Sequence, residues 1–232
     1  MGSLPDDQRR DSTASRSTLV EGVTLMARKR TVGVVLYEGF ELLDACGPIE
    51  MLGNLPDQLR VVMVAQHAGP VRSTQGPAVV ADWDFSDCPP LDVLLVPGGL
   101  GSRTEANNPE MLQWLSERAA DAEITASVCT GSLLLAAAGL LDGRRATTNK
   151  RSFEFVAQTR PAVEWVREAR WVDDGDMVSS SGVSAGMDMA LHLIRRLVGN
   201  EASDQIAEAT EYEWHRDASW DPFAARAGLL DR

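Results

Sequence analysis

A chain of 232 residues, 44% of them hydrophobic and 24% charged, is long enough to bury a substantial core and has the composition of an ordinary globular protein. Its net charge of −12 excludes the basic surface that nucleic-acid binding requires. No apolar run approaches the roughly 20 residues of a membrane helix. The cysteines Cys46, Cys88 and Cys129 are odd in number, widely spaced and outside any CxxC pair. That pattern argues against a disulfide framework or a zinc site and fits a reduced, cytoplasmic setting.

Residues 1–30 carry six Lys/Arg and four Asp/Glu and are rich in Ser and Thr. They lack the apolar stretch of a signal peptide and are expected to form a disordered tail, with residues 31–232 as one domain. The β-branched run Val32–Tyr37 predicts a buried strand, and Glu38-Gly-Phe a turn. A helix is expected over about Glu41–Asn54, restarting near Pro48. Arg60–Gln66 predicts a second strand, and Val71–Ala81 a short hairpin around Gln75-Gly-Pro. Asp92–Val96 reads as a strand that ends in Pro97-Gly-Gly-Leu-Gly. Asn108-Pro109 opens a helix to about Ala120, with Pro in its first turn.

Ile124–Val128 reads as a short buried strand, followed at once by a small-residue helix over Thr130–Ala138 that stops at Gly139. Arg145–Thr148 is expected to be a strand, Ser152–Gln158 a helix, and Val163–Val166 and Trp171–Asp173 extended. A strand over Met177–Ser181 precedes an amphipathic helix over Ser184–Val198 with Ser184 as its N-cap, then a helix over Ala202–Ala209. Strands alternating with helices predict an α/β fold: a mostly parallel sheet covered by helices on both faces. Ligands in such sheets bind at the carboxyl ends of strands, where strand order reverses.

The ends of three strands carry the chemistry. In Ile124-Thr-Ala-Ser-Val-Cys129-Thr-Gly-Ser a strand runs into a helix without a loop. A nucleophile there sits on a sharp turn, and the helix N-terminus favours a thiolate with a lowered pKa. A free cysteine is otherwise most often a small core residue; its position favours function here. Asp44, in Leu-Leu-Asp-Ala-Cys-Gly-Pro, fits two roles. An apolar setting would raise its pKa and let it pass protons, or it caps the helix restarting at Gly47-Pro48. Glycines Gly98 and Gly99 expose backbone N–H groups able to hold a developing negative charge, or simply form a tight turn. His67, His192 and His215 show no pairing with a cysteine and read as structural. Cys46 falls two residues from Asp44, and Cys88 reads as a loop residue. The aromatic segment Tyr212, Trp214, Trp220, Phe223 either closes a pocket, builds a subunit interface or packs down the chain end.

Phe40…Leu43-Asp44…Gly47-Pro48…Glu50, then Cys88-Pro-Pro-Leu-Asp-Val-Leu-Leu-Val-Pro-Gly-Gly, then Ser127-Val-Cys-Thr-Gly-Ser-Leu…Ala138-Gly-Leu-Leu-Asp-Gly-Arg-Arg-Ala-Thr-Thr together resemble the DJ-1/PfpI superfamily, over about Thr31 to Val198. Within it the pattern is most similar to the isonitrile hydratase branch. It is also similar to effector domains of AraC-type regulators. The resemblance implies a flavodoxin-like sandwich, a homodimer and no metal or organic cofactor. It implies Cys129 as nucleophile, Asp44 as its hydrogen-bonded proton shuttle, Thr130 as support, and Gly99 and Leu100 as backbone donors to the bound substrate. Relatives often continue Ala-Thr-Thr with His-Trp, whereas this chain has Asn149-Lys150.

The resemblance therefore implies hydration of an isonitrile to an N-substituted formamide, a lyase reaction on a small molecule. The alternatives are a non-catalytic small-molecule or redox sensor and a glyoxalase-like enzyme. The 34 residues beyond Val198 are too few for a pair of helix-turn-helix units. A closed apolar pocket around Cys129 and Asp44 is what hydration is expected to need; an open cleft is what a sensor is expected to show.

Overall fold

The computed structural model describes residues 28–230. The expected N-terminal tail therefore lies, up to residue 27, outside the described residues. The elements are β1 (Arg30–Leu36), α1 (Leu42–Gly53), β2 (Leu59–Ala65), β3 (Gly69–Arg72), β4 (Ala78–Ala81), β5 (Trp83–Asp84), β6 (Val93–Val96), α2 (Ser102–Glu105), α3 (Pro109–Asp121), β7 (Ile124–Ser127) and α4 (Gly131–Ala137). They continue with β8 (Arg145–Ala146), a 3₁₀ turn (Lys150–Ser152), α5 (Phe153–Thr159), β9 (Glu164–Trp165), β10 (Trp171–Asp174), β11 (Met177–Ser180), α6 (Ala185–Leu197), α7 (Asn200–Ala209) and α8 (Pro222–Arg226).

Seven strands form the main sheet in the order β10-β11-β7-β6-β1-β2-β5. All neighbours run parallel except the antiparallel β10–β11 edge pair. The continuous apolar runs in β1 and β6 follow from this: Val32, Val34, Val35, Leu36 and all of Val93–Val96 are fully buried, as strands covered on both faces must be. From β1 the chain moves outward to β2 on one side, while from β6 it moves outward to β7 on the other. Right-handed crossovers then place α1 and α3 on opposite faces, the doubly wound arrangement expected. Helix α1 packs with α6, and α4 packs with α3 and α5. The predicted hairpin is the antiparallel pair β3–β4.

The order reverses between β1 and β6. The carboxyl ends of β1, β6 and β7 are therefore side by side, and each leads straight into one of the three segments singled out by sequence.

Two local expectations are corrected. Helix α1 runs unbroken through Pro48, so Asp44 lies in its first turn and is not the cap of a second helix. Ser184 begins α6 without a side-chain capping bond; its Oγ accepts instead from the Arg170 guanidinium at 3.4 Å. The sequence reading also passed over β5, α2 and α8, which are two, four and five residues long and too short to show a periodicity.

Candidate active site

Cys129 has φ of 57°, a left-handed conformation that non-glycine residues rarely adopt. The turn is over-determined by its neighbours. Its N–H donates to Ser181 O at 3.0 Å, and its carbonyl accepts from Ser132 Oγ and Thr148 Oγ1, each at 3.0 Å. Strain of this kind persists where surrounding bonds fix it, and it marks functional turns. Residue 183 has the same peculiarity: Val183, a β-branched residue, has φ of 42°.

Asp44 is fully buried. Its Oδ2 accepts the Gly98 N–H at 2.9 Å, and Oδ1 has no partner of normal hydrogen-bond geometry. Gly98 cannot be larger, because a Cβ there would meet Thr130 N at 2.5 Å and Asp44 Oδ2 at 2.9 Å. The Tyr37 hydroxyl donates to Pro97 O at 2.7 Å from below and fixes the start of this turn.

Burial pushes the Asp44 carboxyl up to about 7, against the opposing effects of the Gly98 N–H and a hydrogen bond with Cys129. Burial, and next the Asp44 charge, push the Cys129 thiol well above its ordinary value. The N–H groups of Thr130 and Val183 and the Thr130 side chain act the other way and lose. The expectation of a thiolate pre-formed by a helix N-terminus is thus corrected. Helix α4 has only seven residues, and its field is outweighed by desolvation next to a carboxylate. The raised thiol keeps its proton at neutral pH.

Thr130 Oγ1 accepts from Gly99 N and Ser102 Oγ, both at 3.0 Å. The Leu100 N–H donates to Thr74 Oγ1 at 3.4 Å. Gly99 and Leu100 do line the cleft, but their N–H groups are engaged; the N–H groups directed at sulfur are those of Thr130 and Val183. Val183 was not singled out by sequence, and only the Ser-Gly pair closing β11 hinted at a turn there.

The cleft above Cys129 has a volume of about 450 Å³, with Glu41, Arg103, Asn149, Arg151, Ser152 and Val183 among its walls. No histidine lines it. His67 lines a separate cavity, His192 bonds Asp173 at 2.6 Å, and His215 lies against Trp220. Cys46 and Cys88 are free thiols outside the cleft. Asn149 turns its Oδ1 inward to cap the 3₁₀ turn, accepting from Arg151 N and Ser152 N at 3.0 and 3.2 Å. Its side chain is thereby committed to local structure. The cleft is open and lined by charge, the form expected of a sensor rather than the closed apolar pocket expected to serve hydration. Cys129 at its floor is buried, and its mouth carries charge.

Among the described residues no cluster of His, Cys, Asp and Glu could hold a metal ion, and no helix is long and apolar enough to cross a membrane.

Residues 30–196 match the DJ-1/PfpI family. The chain belongs to that family. A DJ-1/PfpI relative, the isonitrile hydratase of Pseudomonas putida, is 38% identical over 181 residues, 78% of each chain. A THiJ/PfpI family protein from Pseudomonas syringae superposes with a TM-score of 0.76 at 31% identity, covering 88% of this chain and 86% of the other. The family also reaches into gene regulation. The helix-turn-helix transcriptional regulator CdhR of Pseudomonas aeruginosa is 29% identical over 178 residues, which are 75% of this chain and 52% of the regulator.

Proposed function

We propose that this DJ-1/PfpI protein hydrates an isonitrile to an N-substituted formamide, with Cys129 as nucleophile and Asp44 as proton carrier. The observation that carries the reading is the buried pair itself: a protonated thiol on a strained turn beside a carboxyl whose pKa is raised to about 7, with no histidine in the cleft. An acid near neutrality can both take and return a proton. Similarity to an isonitrile hydratase supports the choice of substrate.

In the first step Asp44 takes the thiol proton as sulfur bonds to the terminal carbon of R–N≡C. The same proton passes from Asp44 to that carbon, giving the thioimidate R–N=CH–S. Water then adds across the C=N bond, hydroxyl to carbon and proton to nitrogen, with Asp44 relaying. The C–S bond breaks as the carbonyl forms, and the hydroxyl proton returns to sulfur through Asp44. The sum is R–NC plus water giving R–NH–CHO, with no oxidation. The N–H groups of Thr130 and Val183 stabilise negative charge on sulfur when the proton leaves. The same reading takes the protein as a homodimer acting on a small molecule in the cytoplasm, without cofactor.

Formamide production from a simple alkyl isonitrile tests the reading. Cys129→Ala is expected to abolish it, and equal activity in the variant overturns the proposal. The charged mouth of the cleft, together with the likeness to regulators, favours one second reading, a sensor. Calorimetric binding of the isonitrile without turnover would select it.

A further inference from the structure

We propose that the substrate of this cleft carries a carboxylate, held by Arg103 and Arg151 while Cys129 attacks its far end. The inference rests on the hydration reading and names the substrate class: a short isonitrile carboxylic acid rather than a neutral isonitrile.

Both arginines line the same cavity of about 450 Å³ as Cys129. They come from different parts of the chain. Arg103 lies on α2, just beyond the Gly98-Gly99 turn, and Arg151 lies in the 3₁₀ turn after Asn149. The backbone of each is fixed locally. The Arg103 N–H donates to Leu100 O and the Arg151 N–H to the Asn149 side chain. The Arg103 guanidinium also rests over the Phe155 ring, 5.1 Å from its centroid, which orients it without neutralising it.

Among the described residues, neither guanidinium is ion-paired, although the chain has 34 acids for 22 basic residues. Of the other described arginines, Arg60, Arg72, Arg118, Arg195 and Arg226 also lack a carboxylate partner, but none of them lines this cavity, and others do use the excess. Arg144, Arg160, Arg170 and Arg196, for example, all meet carboxylates. Two arginines left without a carboxylate in an acidic protein, facing one cavity with a nucleophile at its floor, make a receptor for an anionic group. The one acid in the wall, Glu41, has its Oε1 engaged by Gln75 Nε2 at 2.6 Å.

A planar guanidinium offers paired N–H donors that match a carboxylate, and such charge-assisted bonds are the strong ones. The floor would reject the same group. Asp44 is partly ionised at neutral pH, and a second carboxylate beside it would be repelled. The substrate is therefore oriented one way: carboxylate at the mouth between the arginines, isonitrile carbon at the sulfur. This accounts for the charged mouth that a purely apolar isonitrile leaves without a role.

The test uses sodium 3-isocyanopropanoate and its neutral methyl ester with wild type, Arg103→Gln, Arg151→Gln and the double variant. The acid is expected to be hydrated with kcat/KM at least about tenfold above the ester, mostly through KM. Each single variant is expected to lose on the order of tenfold on the acid, and to change the ester by less than about threefold. Raising the salt concentration is expected to raise KM for the acid alone. An ester hydrated as well as the acid, or variants that lose equally on both, overturns the assignment while leaving hydration standing. If wild type hydrates neither compound, the hydration reading fails instead. The arginine site is then decided by calorimetric binding of 3-isocyanopropanoate to Cys129→Ala. Binding that is lost in the added Arg103→Gln/Arg151→Gln background upholds the site; binding that is absent or unchanged overturns it.

Discussion

The Asp44 carboxyl faces the Cys129 thiol with one oxygen tied to the Gly98 N–H at 2.9 Å and the other without a partner of normal geometry. The Asp44 charge makes the Cys129 thiol harder to ionise, while the hydrogen bond with Cys129 partly offsets the burial that raises the Asp44 carboxyl. Removing the Asp44 charge therefore lowers the Cys129 pKa, because that charge is the second-largest cause raising it. Asp44→Asn is expected to react with iodoacetamide at Cys129 on the order of tenfold faster than wild type at pH 8, one pKa unit being tenfold in thiolate. Peptide mass spectrometry separates Cys129 from Cys46 and Cys88. A slower or unchanged rate would mean that Asp44 does not act electrostatically on the sulfur. The same variant is expected to lose turnover by at least a hundredfold, so reactivity and catalysis move in opposite directions.

The Asp44 pKa has a consequence for stability. The folded chain holds this proton up to about pH 7, whereas the unfolded carboxyl releases it near 3.8. Between those values the folded state binds more protons than the unfolded one, so stability falls as pH rises. The contribution is fully present below pH 3.8 and is lost by about pH 7. Asp44→Asn removes this dependence. The stability of the variant relative to wild type is expected to grow from pH 4 to pH 7 and then level off, with a ceiling of about 4 kcal/mol at about 1.4 kcal/mol per unit. Urea unfolding at pH 4, 6 and 8 measures it, and a constant difference across the three contradicts the burial effect.

Gly98 sets the distance between the two reacting residues. A methyl group there would meet Thr130 N at 2.5 Å and Asp44 Oδ2 at 2.9 Å, and the first contact is with backbone. Thr130 and Asp44, which the methyl group would meet, are both buried and have little room to retreat. Gly98→Ala is expected to cost about 1–3 kcal/mol in stability, the usual range for overpacking. It is expected to cut turnover far more than that loss of stability explains, by displacing Asp44 from the thiol. Unchanged kcat in a folded Gly98→Ala protein would show that the spacing is not critical.

The alternation of apolar strands and helices was legible because parallel strands buried on both faces leave continuous apolar runs such as Val93–Val96. Cys129, Asp44 and Gly98 were legible for a related reason: each follows a strand end at the point where strand order reverses. The sign of the Cys129 shift was not legible. It depends on how deeply the sulfur is buried and on a carboxylate 85 positions away in the chain, which no local pattern encodes. Val183 was hidden because a β-branched residue gives no signal for a positive φ; only the surrounding structure imposes it. Arg103 and Arg151 were hidden among many surface arginines until the fold placed them on one cavity.

The C-terminal aromatic segment is tied down by a buried ion pair rather than by apolar packing alone. Asp188 on α6 is fully buried and accepts from Arg170 Nε at 2.8 Å, the Tyr212 hydroxyl at 3.1 Å and His215 N at 2.9 Å. Arg170 in turn connects to the site through its backbone. Its carbonyl accepts Ser181 N at 2.8 Å, and Ser181 O accepts Cys129 N at 3.0 Å. Asp188→Ala leaves the Arg170 guanidinium buried, with Asp221 3.9 Å away and the neutral Ser184 Oγ at 3.4 Å. The expected loss is about 3–5 kcal/mol, the cost of orphaning one member of a buried pair. Replacing both charges together, Arg170→Met with Asp188→Leu, is expected to recover most of that loss, because no uncompensated charge remains. Chemical unfolding of the single and double variants measures the difference. A single variant less than about 1 kcal/mol below wild type would mean that Asp221 or water already satisfies Arg170. Loosened Ser181 contacts are expected to show as faster Cys129 alkylation in Asp188→Ala but not in the double variant, since the strained turn at Cys129 holds only while Ser181 is held.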